Sequence, residues 1–289
     1  MIPGLPLSST AFLTAMAMIA FAANSLLCRM ALGGELIDAA SFATIRVVTG
    51  GGFLTIIALP RWRKHGREKA DLLAAAMLFL YMTFFSYAYL SLAAGTGALI
   101  LFGAVQLTMF TAALRSGERF SPWSWSGLGL ALLGLVYLVS PGLESPDLKG
   151  ALLMAVAGIA WGIYSLRGRL AESALTATAN SFLFSVPLIV AVSLFSFKNV
   201  QASPQGVGLA VASGVVASGL GYVVWFSALR GLTAARAATV QLSVPIIAAF
   251  GGVALLSENV TARLLIASAA TLGGIWMVLS QRVKATDIR

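Results

Sequence analysis

The side chains that could act as acids, bases or metal ligands lie almost entirely outside the long apolar stretches of this sequence. All ten acidic residues fall in the connections or at the ends of these stretches. One cysteine, Cys28, and one histidine, His65, are too few for a metal site or a disulfide framework. HExxH, GxSxG and phosphate-loop motifs are missing. The sequence therefore predicts no metal, no cofactor and no enzymatic activity, because acid–base catalysis needs groups that the apolar stretches do not hold.

Arg46 is the exception, because it lies about eight residues, or ~12 Å at the rise of a helix, inside the second apolar stretch. An ionisable group in such a place is costly, and it is therefore a candidate functional residue. A guanidinium there could meet the carboxylate of a substrate. It could equally tie helices together through backbone carbonyls or polar neighbours.

Polar and aromatic residues of the apolar stretches form the remaining candidates. The polar ones suit a zwitterionic ligand or interhelical hydrogen bonds. The deeper aromatic ones could line a cavity that stacks on a flat side chain, or could serve packing alone. Aromatic residues near the ends of the stretches are expected at the membrane interface, namely Tyr87, Tyr89, Trp123 and Trp125. The predicted substrate-binding residues are Asn24, Arg46, Tyr81, Gln106, Trp161, Tyr164, Trp225 and Gln241.

The composition places these residues in a membrane protein. Of the 289 residues, 59% are hydrophobic and only 10% are charged, and the mean hydropathy is +0.91. A soluble domain carries about a quarter charged residues. The N-terminal stretch resembles a secretion signal, but no Lys or Arg precedes it and a copy of it lies in mid-chain, so we expect a retained membrane helix.

Ten apolar runs are long enough to cross a membrane, and lipid-exposed spans of this kind are helical because lipid cannot satisfy unpaired backbone groups. The sequence therefore predicts an all-α integral membrane protein. The predicted helices lie at 8–30, 38–59, 71–92, 96–114, 123–140, 149–168, 174–197, 206–229, 233–256 and 262–281.

The basic residues predict how these helices are oriented. With the N-terminus inside, the cytoplasmic segments hold 14 Lys and Arg residues and the outer segments hold four. We therefore expect a multi-pass protein of the bacterial inner membrane with both termini in the cytoplasm. The net charge of +9 then reflects topology and not nucleic-acid binding, and the basic segment 60–69 is expected to touch anionic lipid headgroups.

The chain repeats itself at about half its length. "AMIAFAANSLLCRMA" (17–31) returns as "AGIAWGIYSLRGRLA" (157–171), and "GAVQLT" (103–108) returns as "ATVQLS" (238–243). Each half, 1–145 and 146–289, thus holds five predicted helices. Because five is odd, the second half is inserted upside down, and inverted repeats are typical of transporters that expose a site near the bilayer midplane to each side in turn.

These features together resemble the EamA-type branch of the drug/metabolite transporter superfamily. The resemblance covers essentially the whole chain and includes Arg46, a glutamate before the last helix of each half (Glu118 and Glu258) and "VQLSVP" (240–245). It implies a central cavity surrounded by helices 1–4 and 6–9, with helices 5 and 10 outside. Within the branch, the sequence is most similar to bacterial inner-membrane exporters of aromatic amino acids.

The expected function is export of small amino acids or metabolites by alternating access, with aromatic and other neutral amino acids as the first substrate class. No acidic residue lies in mid-span, so we expect no obligatory proton. Nucleosides and lipophilic drug-like compounds remain alternatives, followed by a channel or an intramembrane enzyme. The sequence leaves the oligomeric state open and allows a monomer. The expected hinge or kink residues are Pro187, Pro245, Gly50, Gly51 and Gly52.

Overall fold

The computed structural model describes residues 7–115, 117, 120–142, 145–196, 200–232, 237 and 240–280, and these residues are almost entirely helical. Ten main helices follow one another within the described ranges: α1 Leu7–Gly33, α2 Ala39–His65, α3 Leu72–Ala88, α4 Ala94–Arg115, α5 Pro122–Val139, α6 Leu148–Gly168, α7 Ala174–Phe195, α8 Pro204–Leu229, α9 Ser243–Leu256 and α10 Ala262–Leu279.

Seven of these helices are long and apolar enough to cross a membrane, and three apolar helices, α3, α9 and α10, are shorter. Short polar residues fix where many of them begin. Asp38, Asp71 and Asp147 each accept a hydrogen bond from a backbone N–H group in the first turn of the following helix. Because the first N–H groups of a helix have no partner inside it, such side chains define its start.

One predicted helix end is wrong. The run of α2 was expected to stop at residue 59, before Pro60, but the helix continues through the basic residues to His65. Proline removes one hydrogen bond without always ending a helix. The end comes at Gly66, whose φ of 78° is readily available to glycine and whose N–H group bonds Trp62 O.

The connections show that successive helices alternate in direction. We call the end of the bundle that carries Arg29 and Glu258 the first face. There Arg29 Nε donates to Glu258 Oε1 (3.1 Å), and the turn after α1 pairs with the turn before α8 through Ile37 and Ala202. We call the other end the second face, where Arg167 Nε, near the end of α6, donates to Asp71 Oδ2 (2.6 Å).

The most extensive helix contacts recur when each helix is exchanged for the one five places away. Thus α3 packs on α6 and α1 packs on α8, while α4 packs on α6 and α1 packs on α9. The pairs α2 with α7, α4 with α9, and α5 with α10 map onto themselves. The two halves therefore use equivalent main helix contacts.

The prolines and glycines expected to bend the helices have different local surroundings. Pro187 lies inside α7, which stays helical on both sides of it. Pro245 is the third residue of α9, and the helical pattern is interrupted at Leu242, just before it. Cβ atoms at Gly50 and Gly51 would meet Phe182, whereas one at Gly52 would meet nothing within 4 Å. Hinge motion at these residues stays a prediction.

Helices α5 and α10 form a close pair through glycines. A Cβ atom at Gly127 would lie 2.5 Å from Gly274 O, and one at Gly134 would lie 2.6 Å from Thr271 Oγ1. Small residues let helix backbones approach when lipid surrounds them. The small-residue faces of these two helices are therefore used inside the molecule.

We predict that Gly127→Val lowers the stability of the folded protein by about 1–3 kcal/mol, because the added atoms overlap the backbone of α10. Gly129→Val is the matched control, since a Cβ atom there meets nothing within 4 Å. The thermal unfolding midpoint in detergent measures both variants. Equal shifts for the two would contradict the packing described for α5 and α10.

Candidate functional site

Arg46 lies fully buried in the middle of the bundle and connects three helices. Its Nε donates to Ser218 Oγ (2.9 Å) on α8, and its Nη2 donates to Tyr222 OH (3.0 Å) on α8 and to Tyr81 OH (3.3 Å) on α3. The guanidinium carbon also lies 5.0 Å from the ring centroid of Phe85. These hydroxyl and ring contacts, rather than backbone carbonyls, hold the cation.

Asn24 extends this network to α1. Its Nδ2 donates to Tyr81 OH (3.2 Å), and its Oδ1 accepts from Ser213 Oγ (2.6 Å). Ser213 and Ser218 belong to a π-helical turn, Ser213–Leu220, in the middle of α8. Because a π-helix bonds residues five apart, it brings these two hydroxyls to one side of α8. We call Asn24, Arg46, Tyr81, Ser213, Ser218 and Tyr222 the central network.

Aromatic rings pack around the central network. The Trp161 ring lies 4.9 Å from Tyr81 and 4.7 Å from Tyr222, centroid to centroid. Phe21 lies edge-on to Trp161 (5.3 Å) and to Trp225 (5.7 Å). Tyr164 continues the cluster toward the second face, 6.3 Å from Tyr222. Of the eight predicted binding residues, the structure thus brings six together, either in the central network or in the aromatic cluster: Asn24, Arg46, Tyr81, Trp161, Tyr164 and Trp225.

The two glutamines are buried at other positions. Gln106 lies in α4 and is 6% exposed. Gln241 Nε2 donates to Ala237 O (3.2 Å) within its own segment. The structure therefore gives Gln241 a local role and does not place it in the central network.

Three members of the central network, Ser213, Ser218 and Tyr222, were not among the predicted binding residues. The repeat contains a signal for one of them, because "YMTFFS" (81–86) returns as "YVVWFS" (222–227). Tyr81 and Tyr222 are thus equivalent positions of the two halves, and their hydroxyls lie 3.4 Å apart. One arginine nitrogen bonds both of them.

The interfacial expectation is wrong for Tyr89. This residue is fully buried, its hydroxyl donates to Ala94 O (3.3 Å), and its ring packs on Phe85. Trp123 and Trp125 are 55% and 50% exposed, as expected of residues that face the interface. Tyr89 differs because the turn to α4 folds back over it.

Arg46 is the only charged side chain among the buried residues that the structure describes. Placing an arginine at the centre of a membrane helix costs about 3 kcal/mol on insertion scales. The three hydroxyl acceptors offset part of that cost. Arg46 Nη1 has no hydrogen-bond partner in the described part of the chain, and the same holds for Trp161 Nε1.

Two pockets lie at opposite ends of the molecule. The pocket at the second face, about 260 Å³, is lined by the ends of α6 and α8 and the starts of α3 and α7, and it reaches Tyr164 and Phe226. The pocket at the first face, about 390 Å³, is lined by the ends of α1, α3 and α7 and by residues that precede α2 and α8. Exchanging each helix for the one five places away converts the second-face set into the first-face set, except for the end of α7, which lines the first-face pocket in addition.

Ion pairs lie beside both pockets. At the first face, Glu258 Oε2 also accepts from Ala94 N (2.9 Å), so the Arg29–Glu258 pair ties α1 to the starts of α4 and α10. Its expected counterpart Glu118 lies outside the described residues. At the second face, partial burial raises the pKa of Asp71, but hydrogen bonds from Arg167 and the Ala74 N–H outweigh this effect and hold that pKa below its usual range. The Asp71–Arg167 pair therefore persists until the pH falls through that lowered pKa.

We predict that Tyr81→Phe and Tyr222→Phe destabilise the protein unequally. Tyr81→Phe removes the acceptor of Asn24 Nδ2 and should cost about 1–3 kcal/mol, whereas Tyr222→Phe should cost less, because Nη2 keeps Tyr81 OH. The double variant should lose more than the sum, since either hydroxyl can serve Nη2 alone. Thermal unfolding in detergent measures this, with Tyr137→Phe, 41% exposed, as the control. Equal and additive losses of stability would show that the two tyrosine hydroxyls do not share Arg46 Nη2.

Comparison with known proteins adds to this geometry. The chain is 46% identical to an uncharacterized protein of Pseudomonas aeruginosa over 279 residues, and this alignment covers 96% of this chain and 97% of that protein. It is 22% identical over 249 residues to the uncharacterized transporter YoaV of Bacillus subtilis, covering 82% of this chain and 85% of that protein. A crystal structure shares the fold with a TM-score of 0.66 at 19% identity, covering 97% of this chain and all of that one.

The profile of the EamA-like transporter family matches the chain twice, over residues 8–140 and 148–280. Each match covers one of the two halves whose helices pack equivalently. The resemblance to the family is thereby confirmed over nearly the whole chain. This protein belongs to the EamA-like transporter family, and it is a multi-pass membrane transporter.

Proposed function

We propose that the protein carries small organic molecules across the membrane by alternating access between two inverted five-helix halves, 1–145 and 146–289. One observation carries the proposal: the buried Arg46 bonds two tyrosines from equivalent positions of the halves, and a pocket lies at each of the two faces. Exchanging the conformations of the two halves would close one pocket and open the other around Arg46. The ten helices are then ten spans.

The proposed cargo is an aromatic or other neutral amino acid. Arg46 and five other candidate residues belong to the central network or to the aromatic cluster around it, and the rings of Phe21, Trp161 and Tyr222 offer flat apolar surfaces there. A carboxylate on the cargo would pair with Arg46. A lipophilic cation fits this site poorly because the only buried charge of the described residues is itself positive.

We propose that transport needs no obligatory proton and that its direction follows the gradients of the cargo. A proton-coupled carrier commonly uses a buried carboxylate that binds proton and cargo in turn. In the described ranges every carboxylate lies in a connection or at the end of a helix. We also propose that the Arg29–Glu258 ion pair holds the first face closed and breaks when that face opens. We place the first face outside the cell.

The proposed topology predicts on which side single cysteines react. Leu90→Cys lies at the first face (48% exposed) and Leu170→Cys at the second (78% exposed), both in a Cys28→Ala background. A membrane-impermeant maleimide added to intact cells should label the first and not the second. Permeabilised cells serve as the control, since both sites should then react. Labelling of both sites from outside would contradict the inverted arrangement of the halves.

The proposed cargo predicts the outcome of counterflow in proteoliposomes. Saturable exchange should occur with tryptophan, phenylalanine and threonine in the absence of a pH gradient. Trp161→Ala should raise KM roughly tenfold, because it removes a ring of the site. Trp276→Ala, 57% exposed on α10, is the matched control and should leave KM unchanged. Counterflow of a nucleoside or a lipophilic cation alone would reverse the assignment, and an absolute need for a pH gradient would refute the proton-free mechanism.

A further inference from the structure

We infer that the site recognises the carboxylate of its cargo and does not require the amino group, so that monocarboxylates with an aromatic or branched apolar body are cargo of the same site. This inference rests on the proposed transport function and narrows its substrate class. It follows from the balance of hydrogen-bond donors and acceptors around Arg46.

The site has buried donors without acceptors. Arg46 is fully buried and Trp161 is 2% exposed, and neither Arg46 Nη1 nor Trp161 Nε1 has a partner in the described part of the chain. A buried donor without an acceptor is costly. The complementary ligand therefore brings oxygen atoms, and a carboxylate brings two of them together with the charge that Arg46 lacks.

The acceptors of Asn24 and Tyr81, in contrast, are already engaged. Asn24 Oδ1 accepts from Ser213 Oγ. Tyr81 OH lies within hydrogen-bond distance of Asn24 Nδ2, Arg46 Nη2 and Tyr222 OH, and its oxygen can accept from only two of them. An ammonium group needs three acceptors or an anion nearby. Beside Arg46 it would meet a like charge in a setting of low dielectric constant, where repulsion is strong.

The rest of the site sets the body of the cargo. The Phe85 ring lies against the guanidinium, and the rings of Phe21, Trp161 and Tyr222 pack on one another with centroids 4.7–6.1 Å apart. Such surfaces favour flat or branched apolar groups. A carboxylate with one short apolar arm would therefore offer oxygen acceptors to Arg46 and Trp161 and an apolar group to these rings.

Three compounds with the same ring test the inference: phenylpropionate, phenylalanine and phenylethylamine. Binding to the purified full-length protein in detergent is measured by calorimetry, and exchange in proteoliposomes is measured in parallel. We expect phenylpropionate to bind at least as tightly as phenylalanine, and phenylethylamine to bind roughly tenfold more weakly or worse. An aliphatic series (4-methylpentanoate, leucine and isopentylamine) should give the same order.

Substitutions of Arg46 test whether this residue binds the carboxylate of the ligand. Arg46→Gln should weaken phenylpropionate roughly tenfold or more and change phenylethylamine little or in the opposite direction, whereas Arg46→Lys should restore part of the carboxylate affinity. Arg263→Gln is the matched control, since its guanidinium donates to the carbonyl oxygens of Tyr137 and Ser140, outside the central network. If the Arg46 variants do not fold, the order of the three compounds on the unmodified protein still decides.

The outcomes separate the two proposals. Binding of phenylpropionate without exchange of any compound would refute the transport function and leave the carboxylate site standing. Exchange of phenylalanine, with phenylpropionate neither bound nor exchanged, would refute the inference and leave transport standing. Tighter binding of phenylethylamine than of the other two would overturn the inference as well.

Discussion

The structure depends on keeping one cation in an apolar interior. Arg46 cannot be left to lipid or to bare helix surface, so residues of α3 and α8 supply hydroxyls to it and α1 supplies Asn24 behind them. Each of these hydroxyls must sit within about 3.3 Å of a nitrogen, which fixes how α2, α3 and α8 lie relative to one another. A polar network that is satisfied in this way specifies one arrangement of helices that are otherwise held by nondirectional packing.

Duplication explains the pair of tyrosines but not the single arginine. The position equivalent to Arg46, 140 residues further on, is Val186. Two guanidinium groups at these equivalent positions of the packed helices α2 and α7 would repel each other where the dielectric constant is low. The halves therefore had to differ here, and the one cation is shared by two equivalent hydroxyls. Both halves thus bond Arg46 through equivalent hydroxyls, and in the proposed alternating-access cycle this would give the two end states similar energies.

The sequence allowed most of the fold and part of the site to be predicted. Apolar length, capping residues such as Asp38 and Asp71, and short connections placed the helix ends within a few residues for most helices. Arg46 was recognisable because charge inside an apolar run is costly. Ser213 and Ser218 were not, because periodicity arguments assume 3.6 residues per turn and a π-helical turn departs from that. Tyr89 was misplaced because its burial depends on a turn that the local sequence does not reveal.

The π-helical turn of α8 packs closely against α2, and glycines allow this close approach. A Cβ atom at Gly50 would lie 2.6 Å from Gly214 O, and a Cβ atom at Gly214 would overlap the backbone of Arg46. The backbones of α2 and α8 are therefore in contact at the level of the guanidinium. At that spacing a regular α-helix would place only one of the two serines toward the network, since residues five apart then point to different sides. The widened turn lets α8 present Ser218 to Arg46 and Ser213 to Asn24 at once, so the cation and the amide are held by the same short segment. If this segment of α8 became a regular α-helix, either Arg46 or Asn24 would lose its serine partner. The conformation of the π-helical turn is therefore coupled to the hydrogen bonding of Arg46 and Asn24.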